Sequence, residues 1–314
     1  MHEVSEHCLD VVFVRRCCVS CLPASEGFDR IKMLLIIEAL LLISSALGQD
    51  HRDAGEEHKL DMAQNSVDDY YYGCRQNMAN KVKTEYLNEK CDNSEFERNG
   101  FKNAWQKGES HVSNQKKMKH DTLKCNFIAI YVYTDIDFKI YQIFNNAARN
   151  GKQNYKDGTY KWYSLQFLLT EVIEILRKKQ NRCFKTFRGT NLTFNEITFP
   201  EIRFGSFTSS SLDSFIAKRF GTKSCFEIYT CLGADVSEYS RLPYEKEVLI
   251  PPYEKFKVTA VRTKKYQKNL WCETVYTLKN SGTRSELNCA LFKKAPKNIK
   301  HYGVFNFWSD TVLL

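Results

Sequence analysis

A change of hydrophobic rhythm near Arg177 does most to restrict what this chain can fold into. From Asp69 to about Arg177, apolar side chains return at helical spacing. The clearest case is Leu165, Leu168, Leu169, Val172, Ile173 and Leu176, which fall on one face of a helix and read as a packing stripe. The apolar and aromatic stretch from Asp121 to Ala148 predicts further helices, with a break near Thr134-Asp135. Beyond Arg177, short runs rich in aromatic and β-branched residues alternate with turn residues. They predict strands at Cys183–Thr190, Arg203–Ser209, Cys225–Cys231, Glu245–Ile250, Phe256–Arg262 and Glu273–Leu278. Ser211 to Phe220 reads as a helix between them, with Ser211 or Asp213 at its cap. Pro251-Pro252 closes one strand, because proline cannot donate to a ladder. A helical half followed by a strand-rich half predicts an α+β fold.

The 314 residues carry a formal charge of +9, yet Lys and Arg are scattered among Asp and Glu. No zinc-finger or basic-zipper pattern organises them, so no nucleic-acid partner is expected. Met33 to Gly48 reads as a secretory signal: Arg30 and Lys32 precede the apolar run Leu34–Ile43, and Ala46-Leu47-Gly48 follows. That run is shorter than the ~20 residues of a membrane span and contains Glu38, so no stable span is expected. Residues 1–32 either precede the true start at Met33 or form an extension that turns the signal into an anchor. Residues 49–66 are polar and charged and predict a flexible leader. Beyond Gly48 the cysteines are Cys74, Cys91, Cys125, Cys183, Cys225, Cys231, Cys272 and Cys289. An even set in an exported chain predicts disulfides, although spacing cannot give their connectivity. Cys18 and Cys21 form a lone CxxC without a second pair, so zinc is not expected. Asn191-Leu192-Thr193 is a possible glycosylation sequon.

The chain has no HExxH, GxSxG, P-loop or GxGxxG between a strand and a helix. Its histidines lie before the strand-rich half or beyond its end. Three features of that half can carry chemistry. Arg188, in Phe187-Arg188-Gly189, can hold a phosphate or an amide through its planar fork, while Gly189 permits close backbone approach. The hydroxyls of Thr208-Ser209-Ser210-Ser211 can orient a ligand or a carboxylate. In Glu245-Lys246-Glu247, two carboxylates two residues apart on a strand would share one face and could take separate roles. Each feature alone also fits an ordinary turn, cap or solvated strand.

Their combination is more specific. An aromatic-Arg-Gly triplet, Ser209 21 residues after Arg188, and an ExE ending 38 residues after that resemble the Arg-Ser-Glu signature of vertebrate ecto-ADP-ribosyltransferases. Tyr133-Thr134, Ile140-Tyr141, Phe144-Asn145 and Phe167-Leu168-Leu169-Thr170 resemble that family's helical lobe. Arg203-Phe204-Gly205-Ser206-Phe207 and Glu247-Val248-Leu249-Ile250-Pro251-Pro252 resemble its core strands. The likeness runs from about residue 60 to 292. It implies a helical lobe over a split, mostly antiparallel β sandwich, with a catalytic domain at 67–292 and a tail at 293–314.

By this resemblance, NAD is bound in the cleft as a substrate, and no metal is needed because the cationic nicotinamide leaves as a neutral molecule. Arg188 and the Gly189 backbone would hold its nicotinamide end. Ser209 would position Glu247, and Phe220 would pack against the dinucleotide. Glu247 would stabilise an oxocarbenium-like ribose. The loop from about Val236 to Glu245 would present the acceptor, with Glu245 binding the guanidinium of a target protein. An ExE ending resembles the arginine-specific branch. An NAD glycohydrolase, or a silent extracellular binding protein on the same fold, remains an alternative. The resemblance also implies disulfides Cys74–Cys289 and Cys183–Cys231, leaving Cys91, Cys125, Cys225 and Cys272 unassigned. Phe187 departs from the Tyr frequent at that place in the family. Asp310 interrupts the final apolar stretch, so a secreted form is expected over a lipid-anchored one.

Overall fold

The computed structural model describes residues 58–87, 100–114, 123–197 and 200–292. After a short strand β1 (His58–Leu60), the first half is helical: α1 (Arg75–Lys81), α2 (Phe101–Asn114), α3 (Lys124–Thr134), α4 (Ile140–Asn150), α5 (Lys152–Lys156) and α6 (Tyr163–Gln180). Nearly all of α3 is buried, as expected for a helix that is apolar all round. Helix α6 buries its whole leucine stripe and ends on left-handed Asn181. The break between α3 and α4 has a local cause. Asp135 Oδ1 accepts the N–H groups of Asp137 and Phe138, an alternative to continuing the helical ladder.

The second half supplies β2 (Phe184–Thr190), β3 (Phe194–Ile197), β4 (Glu201–Ile202), β5 (Thr208–Ser211), α7 (Ser214–Lys218), β6 (Ser224–Thr230), β7 (Ala234–Asp235), β8 (Glu247–Ile250), β9 (Glu254–Thr263) and β10 (Thr274–Thr283). Eight strands run in the order β4-β9-β10-β6-β2-β5-β8-β7, and only β10–β6 is parallel. The fold is therefore α+β with a mostly antiparallel sheet. Its continuity is weakest between β2 and β5, which share the single pair Phe187↔Ser211. At this split the helical lobe packs down: Phe207, Ala234, Val236 and Leu249 join the core of α1 to α6. A second core of Phe226, Ile228, Phe256, Tyr276 and Leu278 lies beneath Leu60 and Ile202.

Three sequence expectations need correction. The strand expected at Arg203–Ser209 is interrupted and starts only at Thr208, because Gly205 takes a left-handed bend (φ 72°). The helix expected over 211–220 contracts to α7, capped by Asp213, whose carboxylate accepts the Phe215 N–H at 3.0 Å. Ser211 stays in β5. The expected flexible leader is ordered from residue 58 onward. Strand β1 pairs with β3, and the carbonyls of Met62 and Ala63 accept from the Arg203 guanidinium.

That guanidinium is buried and also bonds the Asp68 carboxylate and the Arg284 carbonyl. Asp68 in turn accepts the N–H groups of Glu286 and Leu287. Next to it, Asp69 accepts from the Cys289 N–H and the Tyr155 hydroxyl. Disulfides join Cys74 to Cys289, Cys183 to Cys231, and Cys225 to Cys272, while Cys125 is also disulfide-bonded. The first closes a separation of 215 residues, worth about 5 kcal/mol in the chain-entropy view. Cys91, the signal-like stretch and the tail lie outside the described residues. Among the described residues, no helix is long and apolar enough to cross a membrane.

Asp68→Ala would leave a buried guanidinium and two N–H groups without their anion. We expect a loss of about 3–5 kcal/mol in denaturant unfolding. An unchanged midpoint would remove the Arg203–Asp68 pair from this role.

Candidate active site

The site is assembled where the sheet splits. Strand β5 pairs antiparallel with β8, setting Ser211 opposite Glu247 and Ser209 opposite Leu249. Residues opposite or two apart share a face, so Ser209, Ser211 and Glu247 stand together. Arg188 on β2 spans the split, its Nη1 donating to the Ser209 carbonyl at 2.9 Å. The helical lobe supports the same point. The Tyr133 hydroxyl donates to the Phe207 carbonyl and receives the Asn145 amide, both at 3.0 Å. In the sequence, Tyr133 and Asn145 stand out only by their family likeness. Their polar atoms inside apolar helical runs were the signal that they touch the site.

Glu247 is 3% exposed. Burial pushes its carboxyl up to about 7, while the Ser209 hydroxyl and the Arg188 charge pull in the opposite direction. Glu245 is 1% exposed and is driven further, to about 9, by burial and then by the Glu247 charge. Its Oε1 has no hydrogen-bond partner. The pair shares a site, but not in the way expected. Glu245 ends a 3₁₀ turn (Pro243–Glu245) rather than lying on the strand, and Lys246 between them is left-handed (φ 50°). Three bonds hold that unfavourable backbone. Ser211 Oγ donates to the Glu245 carbonyl at 2.7 Å, Leu212 N–H to the Lys246 carbonyl at 3.0 Å, and Lys246 Nζ reaches Asp213 at 3.2 Å.

Arg188 also lines a polar cleft of about 480 Å³. Its wall includes Thr190 and Thr208 of the sheet, Asn146 and Arg149 of α4, and Lys59 of β1. Glycine at 189 has a packing reason: a Cβ there would sit 2.4 Å from the carbonyl oxygens of both Ala217 and Gly221. Phe220 follows α7 and is 4% exposed, so it can offer a ligand little more than an edge. Asn191 is exposed at the end of β2, where its Oδ1 accepts the Thr222 N–H at 3.3 Å. Among the described residues, no group of three or more His, Cys, Asp or Glu side chains is placed to hold a metal ion.

Arg188 in the wall of a polar cleft and two buried carboxylates near it are the candidates for meeting charge on a ligand. The chain belongs to the NAD:arginine ADP-ribosyltransferase family, whose profile matches residues 60–276. It is 35% identical over 246 residues to NAD(P)(+)--arginine ADP-ribosyltransferase 2 of Gallus gallus, covering 74% of this chain and 73% of that protein. It is 31% identical over 300 residues to ecto-ADP-ribosyltransferase 4 of Homo sapiens, covering 90% of each. Among solved structures it is similar to a mutant of the eukaryotic mono-ADP-ribosyltransferase ART2.2 in complex with NADH. That similarity has a TM-score of 0.61 at 29% identity, over 75% of this chain and 99% of the other.

Gly189→Ala should force β2 and α7 apart, with a loss of about 1–3 kcal/mol from overpacking. The same shift moves Arg188, so nicotinamide release from NAD should fall with it. A variant with wild-type melting and wild-type release would show that the contact tolerates a methyl group.

Proposed function

We propose that this chain cleaves NAD between nicotinamide and ribose and transfers ADP-ribose to arginine side chains of extracellular or secretory-pathway proteins. The carrying observation is the buried carboxylate pair, with Glu247 in the field of Arg188 and Glu245 keeping an unpartnered oxygen. Membership of the family and the names of its relatives support the same substrates.

Arg188 and the Gly189 backbone hold the nicotinamide end, and the polar cleft takes the rest of the dinucleotide. As the glycosidic bond breaks, its electron pair passes to the pyridinium nitrogen and the ribose becomes an oxocarbenium ion. Glu247 stabilises that charge more in the transition state than in the neutral sugar. Ser209 and, behind it, Tyr133 keep the carboxylate in place. A guanidinium has a pKa above ~12 and arrives protonated. Glu245 binds it, directs one nitrogen at the ribose carbon, and accepts the proton released as the new bond forms. The disulfides match an oxidising compartment, and we assign the chain to the secreted route.

Glu247→Gln keeps the shape and removes the charge. Both arginine modification and NAD hydrolysis should fall a hundredfold or more, the effect of losing about 2.7–4 kcal/mol of electrostatic stabilisation. Near-normal hydrolysis by the folded variant would exclude Glu247 from this role. Glu245→Gln should lose most arginine transfer while retaining substantial hydrolysis. Joint loss of both would make Glu245 an organiser of the whole site.

The raised carboxyl groups also set a pH dependence. Hydrolysis needs ionised Glu247, so its kcat/KM should fall as pH drops through about 7. Glu245 holds its proton to higher pH, and a bound guanidinium favours its ionised form. The ratio of transfer to hydrolysis should therefore rise from pH 7 to about 9, and Glu245→Gln should flatten that rise. A ratio independent of pH in the wild type would contradict proton acceptance by Glu245.

A further inference from the structure

The surface around the segment that ends in Glu245 is cationic, with Lys218, Arg219 and Arg241 all exposed. The next residue back, Tyr244, is 46% exposed and lies within electrostatic reach of both Arg241 and Arg219. Arg241 belongs to the same loop and is held by its backbone, its N–H donating to Thr134 Oγ1 at 2.8 Å, while its side chain is exposed. Arg219 follows α7 and lies over the ring of Phe215 at 5.5 Å, and that ring is itself 70% exposed. Lys218 is exposed beside it. Among the described residues, none of Arg219, Arg241 and Lys218 has a carboxylate within ion-pair distance.

The neighbouring carboxylates are engaged elsewhere. Asp213 caps α7 and pairs with Lys246. Asp135 accepts the N–H groups of Asp137 and Phe138. The loop and α7 are also tied to one another through Ser211, Glu245 and Lys246. The two exposed arginines therefore stand on either side of Tyr244, on the two segments that meet at the buried Glu245.

We infer that Arg219 and Arg241 form a basic collar that selects target arginines flanked by acidic residues on an exposed segment. This rests on the transferase reading above and specifies its protein substrate. A target guanidinium passing between two guanidinium groups meets repulsion before it reaches Glu245. Acidic neighbours in the target offset that repulsion and give the collar its partners. The exposed faces of Tyr244 and Phe215 supply stacking area for the long arginine stem and its guanidinium plane. Pairs at a solvent-exposed rim act mainly on encounter and on KM, and they weaken with salt. The collar is thus a specificity device, distinct from the carboxylates that perform the chemistry.

The test uses three synthetic peptides, each with one arginine flanked on both sides by two glutamates, two glutamines or two lysines. Agmatine serves as a small guanidine acceptor. At low ionic strength, kcat/KM for transfer should fall in the order glutamate, glutamine, lysine, with the ends differing roughly tenfold or more. The spread should shrink toward unity in about 0.5 M salt. In the double variant Arg219→Glu, Arg241→Glu, the order should reverse, each variant being compared only across its own peptides. Equal values for the three wild-type peptides would overturn the collar, as would an order that survives charge reversal. A higher KM for NAD with the peptide order unchanged would assign these cations to the dinucleotide instead, and also overturn it. Failure to modify agmatine and every peptide, with NAD still hydrolysed, would bring down the transferase reading itself and the collar with it.

Discussion

A guanidinium with no access to water must find an anion and acceptors for its remaining N–H groups, or it cannot stay where it is. Arg203 meets that demand by drawing on two distant parts of the chain: the Met62 and Ala63 carbonyls with the Asp68 carboxylate, and the Arg284 carbonyl. Asp68 extends the node to the backbone of Glu286 and Leu287, and the Cys74–Cys289 bridge closes it covalently. The segment entering the fold is thereby fixed against the segment leaving it. Both Arg203 and Ala63 also line the polar cleft, so the wall of the cleft and the closure of the domain share residues.

The cleft is lined from both sides of a near-discontinuity in the sheet, by Arg188 and Thr190 of β2 and Thr208 of β5. One residue pair joins β2 to β5, and Arg188 spans the remainder with its side chain. A complete ladder there would seal the split against a ligand. The helical lobe compensates, placing Tyr133 and Asn145 over the end of β5 and burying Phe207 and Leu249 among its own side chains. Strength comes from layer-to-layer packing where strand pairing is sparse.

Burying Glu245 and Glu247 runs against stability. Both hold their protons more tightly in the fold than in water, so ionising them disfavours the folded state as pH rises from about 4.5. The left-handed Lys246 between them adds backbone strain. Such costs persist only where the surroundings enforce them, and here Ser211, Leu212 and Asp213 do so. Desolvation is also what makes a carboxylate effective against developing positive charge.

Much of the architecture was legible in the chain itself. The rhythm of Leu165 to Leu176 and the alternating segments after Arg177 depend on local burial patterns, and these survive folding. The spacing of Arg188, Ser209 and Glu247 likewise pointed to one cleft through a recognisable signature. The Glu245-Lys246-Glu247 triplet was different. Two residues apart reads as one strand face only if the backbone between them is extended. Lys246 is left-handed because contacts from β5 and α7 hold it there, and no local propensity of lysine favours that state. The orphaned oxygen of Glu245, the role of Gly189 beneath α7 and the closure through Arg203 have the same origin. The sequence by itself determined the helical half, the strand-rich half and the candidate side chains for the chemistry. Tertiary structure alone decided which of them lose their water, because desolvation depends on what the rest of the chain packs around a group.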